Sequence, residues 1–144
     1  MTRVLICGGR EFGFVRKGCP PEALPSERKR ADDERFLLQA TLDAENVDRR
    51  FSLIIHGAAS GADALAKAWA DRKMIPDDPY PADWYPGGSR RLDKSAGPRR
   101  NSRMLAEGRP DIVIAFPGGT GTADMVAKAR RAGVTVIEVS GPHG

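Results

Sequence analysis

Ile112-Val113-Ile114-Ala115-Phe116-Pro117-Gly118-Gly119-Thr120-Gly121-Thr122-Ala123-Asp124 is the stretch whose reading decides the fold. An unbroken apolar run meets a turn of proline, glycines and threonines, and a helical pattern follows at once. Apolar runs this short, without alternation, suit a strand covered on both faces in a parallel sheet. Glycines after such a strand let a ligand approach the backbone, and the first turn of the next helix offers it unpaired N–H groups. The stretch therefore predicts an anion cradle, for phosphate above all, with Gly118, Gly119, Thr120, Gly121 and Thr122 as its binding residues. It is not a P-loop, because no Gly-Lys-Ser/Thr follows the glycines. Nor is it the dinucleotide fingerprint, because the Gly-x-Gly-x-x-Gly spacing is absent both here and after Gly8.

The same strand-then-glycine junction recurs upstream. Arg3–Cys7 reads as a buried strand ending in Gly8-Gly9-Arg10, and Phe51–Ile55 as another ending in His56-Gly57-Ala58-Ala59-Ser60-Gly61. Between them, prolines and glycine make residues 14–25 a loop. A helix is expected from Ser26 or Asp32 to Val47, with Phe36, Leu37, Ala40, Thr41, Ala44 and Val47 as its apolar face. Helices are also expected over Ala62–Arg72, Ala96–Glu107 (with Pro98 in its first turn) and Thr122–Arg131. A short strand within 75–88 and a last one over Val134–Val139 complete the pattern. Strands alternating with helices predict one α/β domain over residues 1–144, with a mostly parallel sheet of about five strands between helical layers. Right-handed crossovers would set every glycine junction at the carboxyl edge of that sheet.

Gly57–Ala68 can be laid over Gly118–Ala129 without a gap, sharing an Ala-Asp pair and an Ala-Lys-Ala one turn later. One explanation is convergence of two turns on small residues and on an acidic first helical turn, which the helix dipole favours by about 0.3–1 kcal/mol. The other is a pair of cradles flanking one pocket, each with a carboxylate beside it, Asp63 and Asp124.

Composition bounds the alternatives. The chain has 144 residues, a formal net charge of +4 and two cysteines. No apolar run approaches the about 20 residues of a membrane span, and no secretory leader pattern opens the sequence, so a cytoplasmic protein is expected. Cys7 falls in a strand and Cys19 in a proline-rich loop; no His/Cys cluster has metal-ligand spacing, and neither metal nor cofactor is expected. Among the basic residues between 90 and 103, Arg90, Arg91 and Lys94 read as a solvated face, whereas Arg99 and Arg100 open a helix and can fork onto an anion. Trp84 and Tyr85 fit either a base-stacking role, with Asp83 accepting from an exocyclic amine, or a loop folding its aromatics onto the domain. His56 fits a ligand contact or a structural histidine equally. The modest charge and sparse aromatics count against nucleic acid as the partner.

Taken together, Val4-Leu5-Ile6-Cys7-Gly8-Gly9-Arg10, His56–Asp63, Pro81-Ala82-Asp83-Trp84, Ala96–Met104 and Pro117–Thr122 resemble the small YspA/YpsA-related proteins of the SLOG superfamily. That superfamily also holds the lonely-guy (LOG) phosphoribohydrolases and the DNA-processing protein DprA. The resemblance covers nearly the whole chain apart from residues 13–30, which read as a loop insertion. It implies a Rossmann-like fold and a nucleotide or nucleotide-derived ligand.

For the LOG enzymes it implies hydrolysis of the N-glycosidic bond of nucleoside 5′-monophosphates, by an arginine from Arg-Lys-x-x-Met and a glutamate from Pro-Gly-Gly-x-Gly-Thr-x-x-Glu. Arg100 and Met104 match the first segment, with Asn101 in place of the lysine. In the second the glutamate position is Met125. Asp124 is one residue early, a rotation of about 100° on a helix. Cleavage develops oxocarbenium character that a carboxylate must stabilise, and Asp63 and Asp124 are the available substitutes. Arg100, Asp124 and Asp63 are thus the candidate catalytic residues. Gly8, Gly9, Arg10, Gly57, Ser60, Gly61, Asp83, Trp84 and Asn101 join the cradle as candidate ligand contacts. The expected function is a nucleotide-ligand sensor or processing protein, with a LOG-like hydrolase and a DprA-like nucleic-acid binder as alternatives. Pairing of LOG relatives through sheet-flanking helices implies a homodimer.

Overall fold

The computed structural model describes residues 1–142; His143, to which the sequence assigns no role, lies outside them. Strands β1 (Thr2–Cys7), β2 (Phe51–His56), β3 (Asp77–Pro79), β4 (Ile112–Ala115) and β5 (Thr135–Glu138) alternate with helices α1 (Leu24–Arg49), α2 (Ala62–Lys73), α3 (Ala96–Gly108) and α4 (Thr120–Arg131). The sheet has the order β3-β2-β1-β4-β5, and every neighbouring pair is parallel. This is the three-layer, Rossmann-like α/β architecture expected from the sequence.

The strand sequences explain the layers. Along β1 and β4, successive side chains point to opposite faces. Val4, Ile6, Ile112 and Ile114 enter one core with Leu38, Leu42 and Trp69 from α1 and α2. Leu5, Cys7, Val113 and Ala115 enter the other with Met104, Met125 and Ala129 from α3 and α4. With both faces covered, no polar position is left in either run, which is why they read as continuous apolar stretches.

Two expectations are corrected. The first helix begins at Leu24, with Pro25 in its first turn, so residues 24–30 of the expected loop insertion are helical. Pro is tolerated there because its missing N–H lies among those a helix start leaves unpaired. The remaining loop is tied to the helix by specific bonds. Glu34 accepts from the Gly13 N–H at 2.8 Å, Arg35 donates to the Gly13 carbonyl at 2.6 Å, and Arg30 bonds the Phe14 carbonyl, Glu27 and Glu34.

The apolar face of α1 is only partly the expected one, since Leu37 packs against the core but the fully buried positions lie beside it. Ala31, Leu38 and Leu42 are buried, whereas Phe36 and Val47 are 74% and 78% exposed. Both stripes satisfy a 3.6-residue period; the side that packs is fixed by α2, whose Trp69 indole N–H donates to Asp43 at 2.9 Å. Among the described residues, no helix is long and apolar enough to cross a membrane.

Candidate functional site

The strand order turns back between β1 and β4, so their connections leave toward opposite faces and a crevice opens at their carboxyl ends. A cleft of about 1170 Å³ lies there. It brings together Gly8, Gly9 and Arg10 after β1, Asp63 of α2, Trp84, Arg100 and Asn101 of α3, and Gly118–Thr122 with Asp124 of α4. Gly57 and Ser60 line a smaller hollow beside it, which Arg10, Trp84 and Arg100 share. Gly61 is buried and Asp83 is exposed, and neither lines either space.

The glycines divide by what a side chain would meet. At Gly8 a Cβ would lie 2.6 Å from the Ala62 Cβ, at Gly61 2.1 Å from the Gly9 carbonyl oxygen, and at Gly118 2.2 Å from the Thr122 hydroxyl. These glycines let the three turns interlock. The Gly9 N–H donates to the Pro117 carbonyl at 2.9 Å, the Ala62 N–H to the Gly9 carbonyl at 3.1 Å, and the Ser60 hydroxyl to the Arg10 carbonyl at 3.0 Å. Gly119 and Gly121 are different. A Cβ on either would meet nothing within 4 Å, and neither has the left-handed φ that Gly18, Gly87, Gly88 and Gly133 combine with open space. Packing requires glycine at neither position, and both lie where α4 presents its unpaired N–H groups to the cleft.

The two carboxylates are not equivalent, despite their matched sequence setting. Asp63 is buried and accepts from the Gly57 N–H at 3.0 Å and the Ala59 N–H at 3.3 Å through one oxygen. Burial pushes its carboxyl above the usual carboxylate range, against the pull of the Ala59 amide. Asp124 accepts from the Asn101 amide at 3.0 Å and pairs with Lys128 at 2.9 Å. Partial burial opposes its ionisation, but Lys128 and Asn101 outweigh that and hold it below the usual range. Asp63 thus fastens the β2–α2 turn, and Asp124 joins α3 to α4. Met125, where the LOG pattern has glutamate, is fully buried against the sheet.

Arg100 bridges these features. Its guanidinium donates to the Gly57 carbonyl at 2.6 Å, to the Tyr80 carbonyl at 3.4 Å and to the Asn101 side-chain oxygen at 3.1 Å. Burial pulls its pKa down, and the nearby Asp63 charge resists the shift. No carboxylate reaches it within ion-pair distance among the described residues. Trp84 packs over Gly97, and the Arg10 guanidinium stacks 4.8 Å from its ring centre. His56 is structural: its Nδ1 accepts from the Ala58 N–H at 3.0 Å, which leaves the Nε2 proton to donate to Asp77 at 2.7 Å. Among the described residues, no three His, Cys, Asp or Glu side chains gather as a metal site.

Sequence reasoning missed the outer wall, formed by Arg16, Arg30 and Glu34. Glu27, Arg30 and Glu34 recur at helical spacing opposite the loop, a signal that the Ser26 start of the helix contains and the Asp32 start does not. Lys94 is exposed, as a solvated face requires, and also lines the cleft.

Cys7 closes the inner end of the cleft, and burial pushes its thiol up to about 12. It is therefore protonated as well as enclosed at neutral pH. Iodoacetamide should modify the folded chain only at Cys19 and the denatured chain at both cysteines, as read by mass spectrometry. Equal labelling of both in the folded chain would contradict this enclosure.

A model of the family described as YspA, cpYpsA-related SLOG matches residues 2–86, more than half of the chain, and the chain belongs to that family. It is 35% identical over 92 residues to the Gene 61 protein of Mycobacterium phage D29, spanning 59% of this chain and 69% of that protein. DNA processing protein A (DprA) from Streptococcus pneumoniae shares the fold, with a TM-score of 0.60 and 19% identity over 97% of this chain. The chain spans half the length of that structure.

Proposed function

We propose that this member of the YspA, cpYpsA-related SLOG family binds a nucleotide or nucleotide-derived ligand, with a phosphate on the turn Gly118–Thr122, as a sensor or processing protein. The observation that carries the reading is the pair Gly119 and Gly121, which open the α4 N-terminus with free space where their side chains would be. Trp84 supplies an aromatic surface in the same cleft, and Arg100 a guanidinium for phosphate or sugar oxygens. Family membership and the DprA-like fold favour a nucleotide-related role.

Gly121→Ala tests the cradle. Helix propensity favours the variant by about 0.5–1 kcal/mol in an unhindered helical position. It should melt no lower than the parent while binding AMP at least about tenfold more weakly, because the methyl displaces the phosphate from the amides. Equal AMP binding by both proteins, measured by calorimetry, would sink the cradle.

Hydrolysis is the second reading, favoured by Arg100 and Met104 standing where the LOG pattern has them. Against it, Met125 occupies the glutamate position in the core, and one oxygen of each remaining aspartate is engaged by protein donors. Incubation with nucleoside monophosphates should release no free base. Release abolished by Arg100→Ala would establish the hydrolase instead. The exposed Tyr85, Arg90 and Arg91 favour a nucleic-acid surface in the manner of the DprA name. Salt-sensitive binding of single-stranded DNA would support that third role.

A further inference from the structure

We infer that the cleft is built for a ligand carrying two linked phosphates, a nucleoside diphosphate or its derivative, in preference to a monophosphate. This rests on the phosphate-cradle reading above and concerns what lies next to the cradle. The first observation is charge. The acids lining the cleft are already engaged. Glu11 pairs with Arg16 at 3.5 Å, Glu34 with Arg30, Asp124 with Lys128, and Asp63 accepts two backbone amides.

The cations that remain are Arg10, Lys94 and Arg100. None has an ion-pair partner within 4 Å among the described residues, and Arg100 is partly buried against neutral carbonyls. A monophosphate brings at most two negative charges to these three cations and the positive end of α4. A diphosphate brings about three and leaves less of the field unmatched.

The second observation is the placement of these groups. The turn after β1 lies directly on the cradle, since the Gly9 N–H donates to the Pro117 carbonyl and a Gly9 Cβ would lie 3.3 Å from the Gly118 Cα. Arg10, next in the chain, has its carbonyl against Ser60 and its guanidinium over Trp84, so it lines the cleft on the side of the β2–α2 turn. From the other side, Asn101 donates to the Gly121 carbonyl at 3.1 Å and to Asp124, which sets the neighbouring Arg100 beside the same helix end. A phosphate on the Gly119–Gly121 amides thus has Arg100 beside it and Arg10 across the same cleft. The cleft volume of about 1170 Å³ also exceeds the roughly 300–1,000 Å³ usual for small-ligand sites. A second phosphate fits toward Arg10 and Lys94, and the nucleoside continues toward Trp84.

Calorimetry of the full chain with inorganic phosphate, pyrophosphate, AMP and ADP tests this at low salt. Pyrophosphate should bind about tenfold or more tightly than phosphate, and ADP than AMP by a similar factor. Lys94 is exposed, so Lys94→Ala should fold normally and remove most of the ADP advantage over AMP. Equal affinities within each pair, or an ADP advantage unchanged by both Lys94→Ala and Arg10→Gln, would overturn the two-phosphate inference and leave the cradle standing. Absence of binding by all four probes would overturn the cradle and the inference together.

Discussion

Gly61→Ala is expected to lower the melting temperature by about 10 °C or more, from a cost of about 3 kcal/mol or above. Two independent penalties combine at this position. Gly61 has φ 74° and ψ −126°, a mirror-β conformation that a Cβ disfavours. The added methyl would also lie 2.1 Å from the Gly9 carbonyl oxygen and 2.5 Å from the Arg10 carbonyl carbon. Those atoms are backbone of the turn after β1, itself bonded to the Pro117 turn, so relief would require the three turns to separate. The variant should therefore also lose phosphate binding, although Gly61 does not line the cleft. Thermal melting beside Gly121→Ala provides the contrast: the same chemical change lowers stability at one turn and leaves it equal or higher at the other. If Gly61→Ala melted with the parent, the interlocking of the turns would be wrong.

Trp69→Ala is the second large effect, with an expected loss of about 3–5 kcal/mol. The indole is fully buried between α1, α2 and the sheet, edge-on to Phe51 at 6.0 Å between ring centres. Its N–H donates to Asp43, and that bond is the main reason the Asp43 carboxyl sits below its ordinary pKa. Truncation would leave a cavity beneath α1 whose lining cannot close without moving Leu38, Leu42 or the sheet. Trp69→Phe should recover much of the packing without the hydrogen bond. Urea unfolding should show a lower midpoint for Trp69→Ala with an unchanged slope. Trp84→Ala is the matched control: the ring is only half-buried, so its loss should scarcely change the midpoint while weakening nucleotide binding. Similar stability losses for the two tryptophans would contradict the assignment of Trp69 to the core and Trp84 to the cleft.

Local sequence carried most of the fold. Strands covered on both faces announce themselves as uninterrupted apolar runs, and glycine turns between strand and helix mark the carboxyl edge before any sheet is drawn. What local pattern could not decide was orientation about a helix axis. The stripes Phe36–Val47 and Ala31–Leu42 are both apolar at helical period, and packing against α2 and the sheet selects the second, with Leu37 of the first at its margin. The start of α1 was hidden for a related reason. Pro25 reads as a breaker, yet the first helical turn tolerates it.

Within the site, the sequence alone located the turn at Pro117–Asp124 and determined that it opens a helix from a buried strand. It also made Asp63 and Asp124 look like twins. Tertiary structure separated them, because Asp63 is enclosed by its own turn's amides whereas Asp124 faces Asn101 and Lys128 across α3 and α4. The same holds for the glycines, which are chemically identical in sequence. Whether one is needed for contact with another turn or for open space toward a ligand depends on which atoms lie within a few ångströms, and those atoms come from distant parts of the chain.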